Sequence, residues 1–522
     1  MLLRPLCIAA LVATATCAHA ATFKWANDGD ANSMDPYTRN ETFLLTFTQN
    51  IYDPLVRRDK DLKVEPALAQ SWEQPSPTVW RFHLRPGVKF QEGEPLTADD
   101  VVFSYKRVMA PGSQLNGNFN TVKEVRKVDD LTVDFETKVP DPIFLEEITT
   151  WAIMSKAWCE AHDATQAADL TKSTENYATR HANGTGPFIL KLREPDRHTT
   201  LIANPNWWDK APGNVTETDF NVIGNASTRV SALISGDVQM IYTVPPQDTD
   251  RLQHTDGVHV LSHPELRTVF LGFDQSRDEL KTSDVRGKNP FKDQRVREAF
   301  NEAVDIEAIK QRIMRGESHP TGLMYGPGVH GYLASDDVRW PYNPEHAKQL
   351  MAEAGYPNGF SVRLDCPNDR YINDEQICQA VTAMLAKIGM KVSLNAQTRL
   401  KYFSQISNPN YDTDFYMLGW TPNTYDALNT FYNLAGGRNG VRGIFNDGGY
   451  SNPKFDALLD QIQVETDPAK RQQEISAASK ILHDDAAFMP LHQQTVVWAA
   501  RNNIDLVQLA DNTFPLRFVT VK

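Results

Sequence analysis

Apolar positions along the chain follow two rhythms, and the two alternate. In "LTADDVVFSYKRVM" the apolar residues Val101, Val102, Tyr105 and Val108 fall on one helical face. Thr97 is a candidate N-cap, with Asp100 three residues on. Helical spacing continues through Val296, Phe300, Val304, Ile309 and Ile313 in "QRVREAFNEAVDIEAIKQRIM". "PEHAKQLMAEAGYPNG" predicts a helix stopped by Gly355, with Pro357 beyond it. "NPKFDALLDQIQ" and "PAKRQQEISAASKILHDD" predict two more, and "PIFLEEITTWAIMSKAWCEA" one long apolar helix. Strand rhythm appears in "DDLTVDFETKV", "FSVRLDC", "MKVSLNA", "YDTDFYMLGW", "RTVFLGFD" and "TVVWAA". "TVWRFHLRPGVKF" reads as two short strands around Pro86 and Gly87. The alternation predicts an α/β chain.

Length makes one core insufficient. The chain has 522 residues, and single cores stop growing near roughly 250–300 residues, so two or three lobes are expected. The punctuation "NGTGPFIL" marks one boundary, and the polar stretch after "RTVFLGFD" marks a linker. Hydrophobic residues make up 41% and charged residues 23%, a globular balance. A formal net charge of -13 is the opposite of the basic field that nucleic-acid binders carry.

The N-terminus has a separate anatomy. Arg4 is its only charge, an apolar run spans Leu6 to Ala15, and "AHA" closes it at Ala20. That is the pattern of a cleavable export signal, with cleavage expected after Ala20. The run is shorter than the roughly 20 residues that span a membrane. Cys7 and Cys17 leave with it, and Cys159, Cys366 and Cys378 remain. Export favours a Cys366–Cys378 disulfide, with Cys159 free and buried. Zinc is the rival for that pair, but its spacing, without a nearby His pair, is not a zinc pattern.

Chemistry is hard to find. There is no G-x-S-x-G elbow, no S-x-x-K set, no H-E-x-x-H and no phosphate-cradling G-x-x-x-x-G-K-[ST]. An exported hydrolase is therefore disfavoured, and no cofactor or metal is expected. The aromatics Trp207, Trp208, Trp340 and Trp420 lie beside turn residues. Each is either core or the wall of a ligand pocket.

Taken in order, several segments resemble one family over nearly the whole chain. They are "YDPLVRRDKDLKVEPALAQSW", "WRFHLRPGVKFQEGEPLTADDVVFSYKRVM", "GTGPF", "NPNWWD", "ALISGDVQMI", "FKDQRVREAFNEAVD", "AEAGYPNGF", and "GWT" followed by "YSNPKFDALL". Together they resemble the extracytoplasmic solute-binding proteins of ABC importers, in the dipeptide/oligopeptide-binding group (solute-binding family 5). The resemblance implies a two-lobed α/β periplasmic-binding-protein-like fold (type II) with an extra subdomain on the first lobe. Mapped here, the first lobe is 21–50, 185–272 and 494–522, the subdomain 51–184, and the second lobe 273–493. It implies a periplasmic monomer without enzymatic activity that takes a small peptide or peptide-like ligand to permease subunits in the inner membrane.

The same resemblance nominates site residues. Trp420 is a wall of the cleft. Peptide-binding members carry an aspartate three residues after this Trp, for the peptide's α-ammonium group. Here that position is Asn423, which has no charge. Asp426, three residues further on, is the candidate substitute. The alternative is a ligand without a free α-ammonium group, such as an N-modified peptide, an opine or a sugar conjugate. Asn40, Glu41 and Thr42 are candidates in the loop after the first strand. Asn368 and Arg370 follow Cys366, with Arg370 expected to hold a ligand carboxylate bidentately. A Cys366–Cys378 bridge would pre-organise that wall.

Overall fold

The computed structural model describes residues 21–172, 174–440 and 442–522. The expected export signal, residues 1–20, lies outside them. The fold is mixed α/β. Its main feature is an eleven-stranded sheet that runs through both lobes. In the first lobe, Ala21–Asn27 pairs in parallel with Val215–Val222, and His198–Ala203 and Phe188–Glu194 follow. In the second lobe, Ser361–Pro367 lies in parallel between Lys391–Gln397 and Phe415–Trp420.

Two long antiparallel strands join the lobes. They are Val258–Phe273 and Phe488–Arg501. The first halves of their pairing sit beside first-lobe strands, through Met240–Ile241. At the other end Thr268–Phe273 pairs with Phe415–Trp420 of the second lobe. The ladder shifts register between Pro264 and Thr268. A break in a continuous ladder bends the strands and loosens them locally. Both strands are buried here, which explains why "RTVFLGFD" and "TVVWAA" read as apolar runs without alternation.

The extra subdomain carries its own four-stranded antiparallel sheet, in the order Ala69–Ser76, Val79–Leu84, Thr132–Thr137, Val122–Asp129. Its helix Ala98–Met109 starts where expected, and the Thr97 N–H donates to Asp100 Oδ2 at 2.9 Å. The helix Pro344–Glu353 also ends as read, with Gly355 at φ +92°.

Three sequence readings are corrected. "PIFLEEITTWAIMSKAWCEA" is two short helices, Phe144–Glu147 and Lys156–Ala161. Between them the chain is drawn out. Ala152 bridges Pro54, the Ile153 N–H donates to Asp53 O at 3.0 Å, and Ser155 caps the second helix. The apolar run from 296 to 313 is likewise two helices, Gln294–Ala303 and Ile306–Arg312, because Asp305 caps a new start at Ala308 N–H (2.9 Å). Beyond Pro86 and Gly87 no second strand forms, only an isolated bridge of Lys89 to Pro95.

Four apolar clusters stabilise this arrangement. The largest, built around Trp25, Trp151 and Trp498, joins the first lobe to the subdomain. Two others lie on opposite faces of the second-lobe sheet. Cys366 and Cys378 are bonded within one of these, and Cys159 is free and buried.

Candidate functional site

The strand Phe415–Trp420 delivers the tryptophan to the mouth of a loop. Gly419 precedes it for a steric reason. A Cβ there would lie 2.7 Å from the ring of Tyr371, closer than van der Waals contact allows. Trp420 is half-buried against Phe445, with ring centroids 5.0 Å apart. Its Nε1 donates to Asn429 Oδ1 at 3.0 Å. Asn429 Nδ2 donates to Asn423 Oδ1 at 2.8 Å, and Asn423 Nδ2 donates to Asn118 Oδ1 at 3.4 Å. Asn118 Nδ2 in turn donates to the Glu147 backbone oxygen at 3.1 Å. Both ends of the Asn423 amide are therefore engaged, and they link the second lobe to the subdomain. An aspartate at 423 has no N–H and could not donate to Asn118.

Asp426 lies at the far end of the same loop. It is fully buried and caps the turn Ala427–Thr430. Its two carboxylate oxygens accept from Arg471 at 2.7 and 2.8 Å. Both are thus committed inside the second lobe, and Asp426 lines neither cavity described below.

Two cavities flank this loop. The first, about 400 Å³, lies between the lobes near the crossing strands. Glu41 and Thr42 line it from the first lobe, and Arg370, Tyr371 and Arg399 from the second. Glu41 caps the helix Thr42–Thr48 through the Leu44 N–H (3.0 Å). Thr42 Oγ1 accepts from Arg267 at 3.4 Å, and the Arg267 Nε also donates to Thr421 Oγ1 at 3.1 Å. Arg267 thus holds a loop of each lobe from its place on a crossing strand, with Glu265 as its ion-pair partner at 3.2 Å.

Arg370 stands on a loop held from both sides. The Cys366–Cys378 bond ties the preceding strand to the helix Asp374–Ala386. Asp374 accepts the backbone N–H groups of Arg370 (2.9 Å) and Tyr371 (3.0 Å). Among the described residues neither Arg370 nor Arg399 has an ion-pair partner. Asn368 is exposed and lines neither cavity, and its backbone N–H donates to Gln397 O at 2.9 Å.

The second cavity, about 410 Å³, lies between the subdomain and the second lobe. Trp420, Asn423 and Asn429 line one side, Asn118, Asp141 and Glu147 the other, with Asn40 at the edge. Burial, and secondly the nearby Asp141, push the Glu147 carboxyl well above the usual carboxylate range. Burial likewise raises Asp141.

The sequence-predicted residues thus divide. Trp420, Asn423 and Asn40 line the second cavity, and Glu41, Thr42 and Arg370 the first. Sequence reading missed Arg267, Arg399, Asn118 and Glu147. Arg267 had a signal, because "PELRTVFLGFD" places an acid and an arginine at the head of a buried strand. Glu147 had one too, as an acid within an apolar run. Trp207 and Trp208 are structural, since both Nε1 atoms donate to the buried Asp53 Oδ2 (3.2 and 2.7 Å). No group of three or more His, Cys, Asp or Glu among the described residues could hold a metal ion.

Comparison with known proteins gives the same architecture. The glutathione-binding protein GsiB of Shigella flexneri is 24% identical over 482 residues, covering 90% of this chain and 89% of GsiB. Among solved structures, the periplasmic binding protein DppA from Helicobacter pylori, in complex with the peptide STSA, superposes with a TM-score of 0.83. It is 24% identical, with 96% of this chain and 98% of DppA covered. AgaA from A. tumefaciens R10, in complex with agropinic acid, superposes with a TM-score of 0.81 at 23% identity, with 96% and 99% covered. The signature of the bacterial extracellular solute-binding proteins, family 5 Middle, matches residues 63–441. The chain belongs to family 5 of the bacterial extracellular solute-binding proteins.

Proposed function

We propose that this protein captures a small peptide between its lobes and delivers it to the permease of an ABC importer. One observation carries the peptide reading. The cavity between the lobes presents the half-buried Arg370 and the exposed Arg399, neither in an ion pair, on one wall beside Asp369, with Glu41 and Asp28 on the other. A ligand held there would enclose Arg370 and Glu41, enclosed charges need partners, and a zwitterionic peptide supplies both signs. A carboxylate fits the Arg370 fork bidentately, and Glu41 takes a donor. Thr42 and Arg267 shape the wall between them. The names of two similar proteins support this chemistry, one for glutathione and one for the peptide STSA. Asn368 serves the loop that carries Arg370, and Asp426 serves the frame of the second lobe.

In this reading the chain works as a periplasmic monomer, released from its export signal after Ala20. The first lobe spans 21–50, 185–272 and 494–522, the subdomain 51–184 and the second lobe 273–493. Capture needs no chemical step, so the cargo leaves unchanged.

The test is calorimetry of the mature chain with di- and tripeptides, beside mass spectrometry of whatever co-purifies. Unmodified peptides are expected to bind, C-terminal amidation to weaken them, and Arg370→Met to remove that sensitivity. A co-purifying ligand without a peptide bond, together with no binding of the panel, would overturn the peptide reading in favour of an opine or sugar conjugate.

A further inference from the structure

The floor of the cavity between the lobes carries a hydrogen-bond acceptor that the protein leaves unused. Gln494 lies on the crossing strand Phe488–Arg501 and lines that cavity together with Val496. Residues two apart on a strand share a face, so the Gln494 side chain points the same way as that of Val496, toward the cleft. Gln494 is 5% exposed, and its Oε1 is buried with no hydrogen-bond partner among the described residues.

A carboxylate fixes which way the amide faces. Gln494 Nε2 donates to Glu265 Oε2 at 2.5 Å. An amide turned over would set its oxygen against that carboxylate, so the open atom is an acceptor. Glu265 is buried in turn and lies 3.2 Å from Arg267 Nη2. Two donors that line the same floor are engaged elsewhere. Arg267 reaches Thr42 and Thr421, and the Tyr242 hydroxyl donates to Asn512 O. A buried acceptor left unpaired is destabilising, and this one sits in the cavity assigned to the cargo.

Gln494 stands apart from the charged walls. Glu41 and Thr42 come from the first lobe and Arg370 from the second, whereas Gln494 belongs to a strand that crosses between them. We propose that Gln494 Oε1 accepts a hydrogen bond from a backbone N–H in the interior of the bound peptide. Gln494 is then a specificity-determining residue that reads an uncharged donor and not a terminal charge. Its amide is tied through Glu265 to Arg267, which touches a loop of each lobe, so filling this acceptor connects the cargo to the joint on which the lobes move. The inference rests on the peptide reading above and adds which uncharged group of the peptide is recognised.

The experiment is calorimetry on the mature chain with Ala-Ala-Ala and its two backbone esters, in which lactic acid replaces the second or the third alanine. Each ester lacks one N–H and keeps both terminal charges. One of them is expected to bind about tenfold more weakly than Ala-Ala-Ala, the loss of one buried hydrogen bond. Gln494→Met is expected to bind Ala-Ala-Ala about tenfold more weakly than wild type and to bring it within about twofold of that ester. Gln494→Asn keeps an amide but draws the acceptor back by one methylene, and is expected to lose the discrimination in the same way. An ester penalty that persists unchanged in a folded variant overturns the assignment and leaves the peptide reading standing. Equal binding of all three compounds by the wild type also overturns it, and that comparison decides even if both variants fail to fold. No binding of any of the three by the wild type overturns both readings.

Discussion

Asp426 and Asn423 are three residues apart and have different jobs. Asp426 anchors Arg471, whose side chain is 11% exposed. Removing one partner of a buried pair leaves the other charge uncompensated, at a cost of about 3–5 kcal/mol. Asp426→Ala is therefore expected to lower unfolding stability by that order in a denaturant titration. An unchanged midpoint, with only ligand binding lost, would instead make Asp426 a ligand anchor. His492 offers a second residue-scale test. Both its ring nitrogens are buried without partners, and burial, with His319 nearby, pushes its pKa down to about 4. Its unfolded value is near 6.5, so the unfolded chain binds the proton more readily. The neutral ring's contribution is fully present above 6.5 and is lost as pH falls toward 4. Thermal midpoints of His492→Gln are expected to fall less steeply than wild type across that window. Parallel slopes would contradict the assignment.

At the scale of elements, caps and covalent ties decide what periodicity alone leaves open. Asp305 and Ser155 each begin a helix inside an apolar run that reads as one. The run of apolar residues reports burial, and only the cap reports where the backbone turns. The Cys366–Cys378 bond joins strand to helix, with the Arg370 loop between them. Closing a loop of this size stabilises by about 3 kcal/mol in the chain-entropy model. The Cys366→Ser/Cys378→Ser pair is expected to lose stability of that order and to bind peptide more weakly, because the wall must then be ordered on binding. Equal affinity in the reduced and oxidised protein would show that the loop is held by Asp374 alone.

For the whole molecule, closure depends on few contacts. Arg267 reaches Thr42 and Thr421, and Asn423 reaches Asn118. Both meet across the cleft, while the crossing strands shift register between Pro264 and Thr268. Lobes joined in this way open and close as hinged bodies, and ligand favours the form that binds it better. Small-angle scattering is expected to show a smaller radius of gyration when peptide is added. Arg267→Met is expected to need more peptide for the same contraction. A profile indifferent to ligand would contradict a hinge.

The sequence by itself determined the elements, the α/β class and the family resemblance, because local periodicity and collinear segments survive without three-dimensional context. It also placed Trp420 at a loop mouth and paired Cys366 with Cys378. The partners of each polar side chain were decided only in three dimensions. Arg471 is 45 residues from Asp426, and Asn118 is 305 from Asn423. Which carboxylate is already engaged depends on such distant neighbours. For that reason Asp426 reads as a ligand anchor in the sequence, and only the folded protein shows it committed to Arg471.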